Sequence, residues 1–188
     1  MSDRQDLQPA LRKEAQSILC RLSSRERESL LIKNWVSHDA RWFMAAAQEY
    51  GMDVANHLNG IAAHNVGVVE AHRAIRALRL PPVNDLDDFL LIQEVLICIF
   101  GPELMDYEVE KYNAAAYRLC VARCFAHENT TRAGVADQYN CGVVARITGW
   151  LEAMGLSYQL NPPLGACLKA QGSECVYEIE IGEAIYSQ

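Results

Sequence analysis

The sequence is short of most features that announce a common function. Its longest apolar run, Leu90 to Phe100, is interrupted by Gln93 and Glu94. It is therefore far below the roughly 20 residues that a membrane-spanning helix needs. Basic residues are not in excess: 24 Asp and Glu outweigh 17 Lys and Arg, for a net charge of -7. There is no basic stripe interleaved with aromatics, and an acidic chain repels phosphate backbones, so nucleic acid is not an expected partner. A phosphate loop, G-x-G-x-x-G, G-x-S-x-G and H-E-x-x-H are all missing, which removes the usual nucleotide, serine-hydrolase and zincin readings. There is no internal repeat or low-complexity tract. The opening MSDRQDLQPALRKEAQ lacks the apolar core of a signal peptide. The expected location is the cytoplasm, with no membrane partner.

Apolar residues make up 51% of the 188, enough for one domain, or one domain with a helical extension. Cysteine is abundant, with seven residues. A reducing compartment disfavours disulfides and the count is odd, so these thiols suggest core filling, metal ligands or a reactive group.

Residues 1–102 read as a helical region. Ser23 and Glu26 form a capping box ahead of Leu30, Leu31 and Ile32. Ser37 is placed to cap a second helix from His38 to Tyr50, stopped at Gly51. Asp53 opens a long helix ended by Pro81-Pro82, and Asp85 opens another that runs to Phe100. Residues 103–188 read as a small α+β ligand-binding domain. Met105-Tyr107-Val109 and Tyr117-Leu119-Val121 alternate as strands do. A helix is predicted over Tyr139 to Met154. The segments Leu164 to Ala170 and Cys175 to Ile181 then form an antiparallel hairpin about Gln171-Gly172-Ser173. The fold class is α+β.

The strongest constellation is Cys124, Cys141, Cys167 and Cys175. On that hairpin Cys167 and Cys175 come opposite each other, with Cβ atoms about 4.5–5.5 Å apart. That spacing suits two ligands of one tetrahedral zinc with Zn–S near 2.3 Å. Cys141 sits at a helix start, where the dipole favours a thiolate. Cys124 ends a strand, with His127 one turn beyond. The plainer reading makes all four small buried apolar residues. Cys20, Cys98 and Cys120 read as core positions.

Two further groups stand out. Asp39 and Trp42 share a helix face, with Asn56, Asn59 and Glu70 able to gather nearby as a polar pocket wall. Alternatively, Asp39 complements its helix dipole while Trp42 packs in the core. Arg146 and Trp150 are four apart on the late helix. They can receive a ligand carboxylate or form a surface stacking pair, and Gly149 beside them allows another backbone close. His57 and His64 share a face about 10 Å apart along the axis, too far to share one metal.

The stretches YNCGVVARITGWLEAMGL and CLKAQGSECVYEIEI resemble the end of the four-vinyl-reductase or hydrocarbon-binding domain superfamily, through Cys141, Gly149, Cys167, Gly172, Cys175 and Tyr177 in order. That resemblance implies a small, often aromatic or hydrophobic ligand, and zinc on the hairpin cysteines. Members often carry a glutamate three residues before the first hairpin cysteine; here that residue is Leu164. A longer stretch, HDARWFMAAAQEYGMDVANHLN, with Glu70, Arg73, Cys124 and Cys141, is similar to a family of bacterial proteins related to the L-2-amino-thiazoline-4-carboxylate hydrolases. It implies ring-opening hydrolysis of a small amidine or thiazoline.

The leading expectation is a cytosolic small-molecule-binding protein whose thiol cluster holds zinc or stays metal-free. Its N-terminal helices cover the pocket or pair with a second copy as a homodimer. The alternative is a thiol-dependent hydrolase of a small amidine or thiazoline carboxylate, with Cys141 as nucleophile, His127 as base and Asp137 orienting it. Whether the chain is an enzyme stays open at this point.

Overall fold

Helix caps and glycine stops set the first half of the chain. The computed structural model describes residues 8–184. The chain divides into two units, residues 1–40 and 41–188.

In the first unit, α1 (Gln8–Leu19) buries none of its residues. The capping box then forms as expected at the start of α2 (Ser24–Tyr50). The Glu26 amide donates to Ser23 Oγ at 3.3 Å, and the Ser23 amide donates to Glu26 Oε2 at 2.8 Å. Ser37 does not start a new helix, because α2 runs through it. Residues 33–41 contain neither glycine nor proline, so nothing there breaks the hydrogen-bond ladder.

The second unit holds the last turns of α2, which stop where Gly51 takes φ 86°, a conformation glycine adopts without steric cost. Next come α3 (Met52–Leu78) and α4 (Leu86–Phe100). Asp85 caps α4 by accepting from the Asp88 amide at 2.9 Å. The strands follow: β1 (Met105–Lys111), β2 (Ala116–Cys124), β3 (Leu156–Asn161) and β4 (Val176–Ala184). They form one antiparallel sheet in the order β1-β2-β4-β3. Between β2 and β3 lie α5 (Phe125–Arg132) and α6 (Gly142–Ala153). The fold is α+β, with helices first and a strand hairpin at the C-terminal end.

Beyond Ser37, three features differ from the expected elements. The partner of β4 in that hairpin is β3, not residues 164–170. Pro162 and Pro163 end β3, and the run that follows pairs across to residues 139–141 before closing a 3-10 turn at Leu168–Gln171. Helix α6 starts at Gly142 rather than Tyr139. Helix α5 is not among the expected elements; FAHENTTR is a short and mostly polar segment, with Phe125 and Ala126 its apolar residues.

The core of this unit lies between the sheet and α3, α4 and α6, with Phe89, Tyr117, Ile147, Leu151, Tyr177 and Ile179 fully buried. Tyr117 brings a polar atom into it and donates to Gln93 Oε1 at 2.8 Å, so no buried hydroxyl is stranded. Gly67 of α3 and Gly149 of α6 let the two helix backbones touch. A Cβ on Gly67 would collide with the carbonyl oxygen of Arg146, and one on Gly149 with that of His64. Among the described residues no helix is long and apolar enough to cross a membrane.

Candidate functional site

The segment leading into α6 is held from α3. The buried side chain of Asn56 donates to the Gln138 carbonyl at 2.6 Å and accepts from the Asn140 amide at 3.0 Å. Tyr139 is buried edge-on against Phe43, and its hydroxyl accepts from the Gly142 amide at 3.2 Å. Asn59 hydrogen-bonds the same hydroxyl. Gly142 is required here, because a Cβ would lie 2.8 Å from that hydroxyl and 2.9 Å from Asn59 Nδ2. Cys141 is thereby fixed as the residue that opens α6.

The loop after β3 is tied to the same place. The Cys141 amide donates to the Gly165 carbonyl at 2.8 Å, and the Cys167 amide donates to the Tyr139 carbonyl at 2.9 Å. Gly172 turns the loop with φ 76°. The Cys175 carbonyl accepts from the Val121 amide at 2.9 Å, which sets Cys175 beside β2. Cys124 closes β2 and opens α5.

The result is a gathering of thiols. Cys124, Cys141, Cys167 and Cys175 lie within electrostatic reach of one another. The Tyr177 hydroxyl lies near the Cys141 sulfur, and the Lys169 charge is within electrostatic reach of Cys124 and Cys175. Burial dominates their chemistry. It pushes the Cys141 thiol up to about 12 and the Cys175 thiol up to about 11, with neighbouring sulfurs adding to the effect. Cys124 moves up for the same first reason, opposed by the amides of His127 and Ala126. Desolvation penalises the charged form, so these are protonated thiols. The helix start at Cys141 does not make it a thiolate, because one turn of dipole is outweighed by loss of water. Among the described residues, no group of three or more His, Cys, Asp or Glu side chains is arranged to hold a metal ion.

His127, in the first turn of α5, places Nδ1 3.7 Å from Cys167 Sγ. The thiol this imidazole reaches is that of Cys167 rather than Cys141, the pairing drawn from sequence proximity. Asp137 lies exposed on the turn Ala136–Gln138. Cys20 and Cys98 are exposed and Cys120 is half-buried, so none of the three is the core residue expected. Cys20 follows a helix that buries nothing, and Cys98 lies on the solvent side of α4 beside Glu94.

Arg146 and Trp150 have a partner inside the chain that the sequence reading missed. The Arg146 Nε and Nη2 groups and the Trp150 indole N–H all donate to the Glu70 carboxylate. The bidentate face expected to receive a ligand carboxylate is thus taken. Trp150 is 3% exposed, so it is interior rather than a surface stacking residue. Phe100 covers the guanidinium, with its ring centroid 4.1 Å from Arg146 Cζ. His64 bridges the same two helices, meeting Thr148 Oγ1 at 2.9 Å and Glu152 Oε2 at 2.8 Å. Asp39 is exposed on the part of α2 within the first unit. Trp42 is 58% exposed rather than packed in the core; its neighbour Phe43 takes the buried position.

No curated protein matches this chain. A family model matches residues 22–162, a span that takes in both the asparagine clamp and the start of α6. The chain belongs to the family of unknown function DUF6125.

Proposed function

We propose that this protein binds a small molecule, hydrophobic or aromatic in part, at the thiol gathering around the start of α6. One observation carries the reading. Four segments distant in sequence, the β2–α5 junction, the α6 start, the 164–175 loop and β4, bring polarisable sulfurs, an imidazole and two tyrosines to one place, with α3 holding the α6 start. Cys124, Cys141 and Cys175 keep partial exposure there rather than being sealed in the core. Sulfur and aromatic surface with a few placed hydrogen-bonding groups is the usual lining of a small-ligand site. The resemblance to hydrocarbon-binding domains supports the same class.

The test is a thermal-shift screen of small aromatic and hydrophobic compounds, run beside Tyr177→Leu and Cys141→Leu. A ligand that raises the wild-type Tm but neither variant's supports the reading; equal shifts in all three overturn it. Zinc is not required by this reading, and metal analysis of protein purified without added zinc decides that proposal separately.

A second reading, a thiol-dependent hydrolase of a small amidine or thiazoline carboxylate, is favoured by the Cys167–His127 approach of 3.7 Å. It is tested by loss of the ring of 2-amino-thiazoline-4-carboxylate, which Cys167→Ser should abolish. A homodimer through the N-terminal helices is proposed on the exposure of Leu11, Ile18, Leu30 and Leu31. Sedimentation of wild type against Leu31→Glu tests it.

A further inference from the structure

We propose that Cys167 and His127 form a nucleophilic thiol–imidazole pair, and that Lys169 draws small anionic carbon electrophiles to it. This deepens the ligand-site reading and rests on it: the site would not only hold its ligand but join to it. The first observation is the geometry, with Sγ and Nδ1 3.7 Å apart on two elements that the loop and α5 hold separately. The second is charge. With the fork of Arg146 occupied by Glu70, the cation placed two residues from Cys167 is Lys169, half-buried on the turn that Cys167 opens and within electrostatic reach of Cys124 and Cys175.

The chemistry balances without a cofactor. His127 Nδ1, in the tautomer that leaves it unprotonated, takes the proton from Cys167 Sγ. The sulfur lone pair attacks a carbon of the electrophile. A carbon–sulfur bond forms, the bond from that carbon to its leaving group breaks, and the leaving group departs with the electron pair. The proton on the imidazole passes to solvent or to the leaving group. An activated thiol of this kind is recognised by a base within reach. The native ligand class is a small carboxylate that carries an electrophilic carbon. A small probe is needed, since Cys167 keeps only 8% of its surface exposed.

The test is pulse alkylation of the full chain with iodoacetate or iodoacetamide, read at each cysteine by peptide mass mapping. Cys167 should be labelled about tenfold faster than the exposed Cys20, because a base within reach takes the thiol proton as the sulfur attacks. His127→Gln should bring that rate down to the level of Cys20 or below, with circular dichroism confirming the fold. Lys169→Gln should leave the iodoacetamide rate at Cys167 unchanged and lower the iodoacetate rate about threefold, the size of a screened single-charge effect. This arm stands even where the histidine variant fails to fold. Labelling that reaches Cys141 or Cys20 first overturns the pair, and an iodoacetate preference untouched by Lys169→Gln overturns the role of the lysine. Ligands that shift Tm without selective alkylation of Cys167 would remove the pair and keep the binding site. Selective alkylation with no ligand shift would do the reverse.

Discussion

Gly149 of α6 meets Gly67 of α3 with no side chain between them: a Cβ placed on Gly67 would lie 3.2 Å from the Gly149 Cα. The crossing sets how deeply α6 sits against α3, and so where Cys141, at its start, is held. A close backbone crossing of this kind tolerates only hydrogen at the contact.

Gly149→Ala should therefore destabilise the protein by about 1–3 kcal/mol or more, as overpacking does when the obstacle is backbone rather than a mobile side chain. A Cβ there meets the His64 carbonyl and lies 2.9 Å from the Val68 amide nitrogen. Gly60→Ala on the facing helix α3 is the control, with nothing within 4 Å of its Cβ. It should stabilise by up to about 1 kcal/mol through helix propensity. Urea unfolding of the two variants should show opposite signs.

Glu70 is the hub of a second α3–α6 tie. Its carboxylate takes hydrogen bonds from both Arg146 and Trp150, whose side chains have little contact with water. Glu70→Ala leaves a covered guanidinium without its counter-charge, at a cost of about 3 kcal/mol, the low end for a buried pair because Arg146 and Glu70 keep 14% and 23% exposure. Replacing both partners, Glu70→Leu with Arg146→Met, should recover most of that loss. A double variant as unstable as Glu70→Ala would show that the cost is packing and not charge.

How much of this was legible in the sequence follows from which interactions are local. The capping box at Ser23, the cap at Asp85 and the stop at Gly51 are each decided by a few neighbouring residues, and all appear as expected. The strand assigned to residues 164–170 failed because its apolar composition was read without its partner. The Cys167 amide donates to the Tyr139 carbonyl and the amides of Ala170 and Gln171 turn back to the Cys167 carbonyl, a tertiary choice that composition does not encode. The four thiols were singled out by type and spacing, but the imidazole was given to Cys141 on sequence proximity. His127 and Cys167 are 40 positions apart, so nothing local signals their approach. Glu70 and Arg146 are 76 apart, and the sequence offered no local signal to join them.

Asn56 should matter to the site beyond its contribution to stability. Asn56→Ala removes a donor from the Gln138 carbonyl and an acceptor from the Asn140 amide, two backbone groups left short at about 1–3 kcal/mol each before water repairs them. The turn ahead of Cys141 should loosen, and Cys141 should then be alkylated faster while Cys20 is unchanged. Asn56→Asp keeps the acceptor but sets a carboxylate against a carbonyl, so it should be no better than alanine. A variant with normal stability and unchanged Cys141 labelling would show that α3 does not hold this turn.

The thiols also set a direction for stability against pH. Burial, aided by the nearby sulfurs and opposed by the Val144 amide, raises Cys141 from an ordinary 9.0 to about 12, and Cys175 moves from 9.0 to about 11. A raised thiol pKa means that the native state holds its proton after the unfolded chain has begun to lose it. The contribution is fully present below about pH 9 and is lost progressively as pH climbs towards 11 and 12, so the stability curve should fall on the alkaline side. Tyr139 and Tyr177 are raised by burial as well and add to the same fall, so an absolute slope does not isolate the cysteine. The difference between two proteins does. Cys141→Ser replaces the thiol with a hydroxyl that does not titrate in this range, while both tyrosines and Cys175 remain. Melting curves for wild type and variant at about pH 8 and about pH 10.5 should converge as pH rises, because wild type alone loses the protonated-thiol term. Parallel declines would mean that Cys141 ionises with equal ease in the folded and unfolded chain, and that water reaches its sulfur.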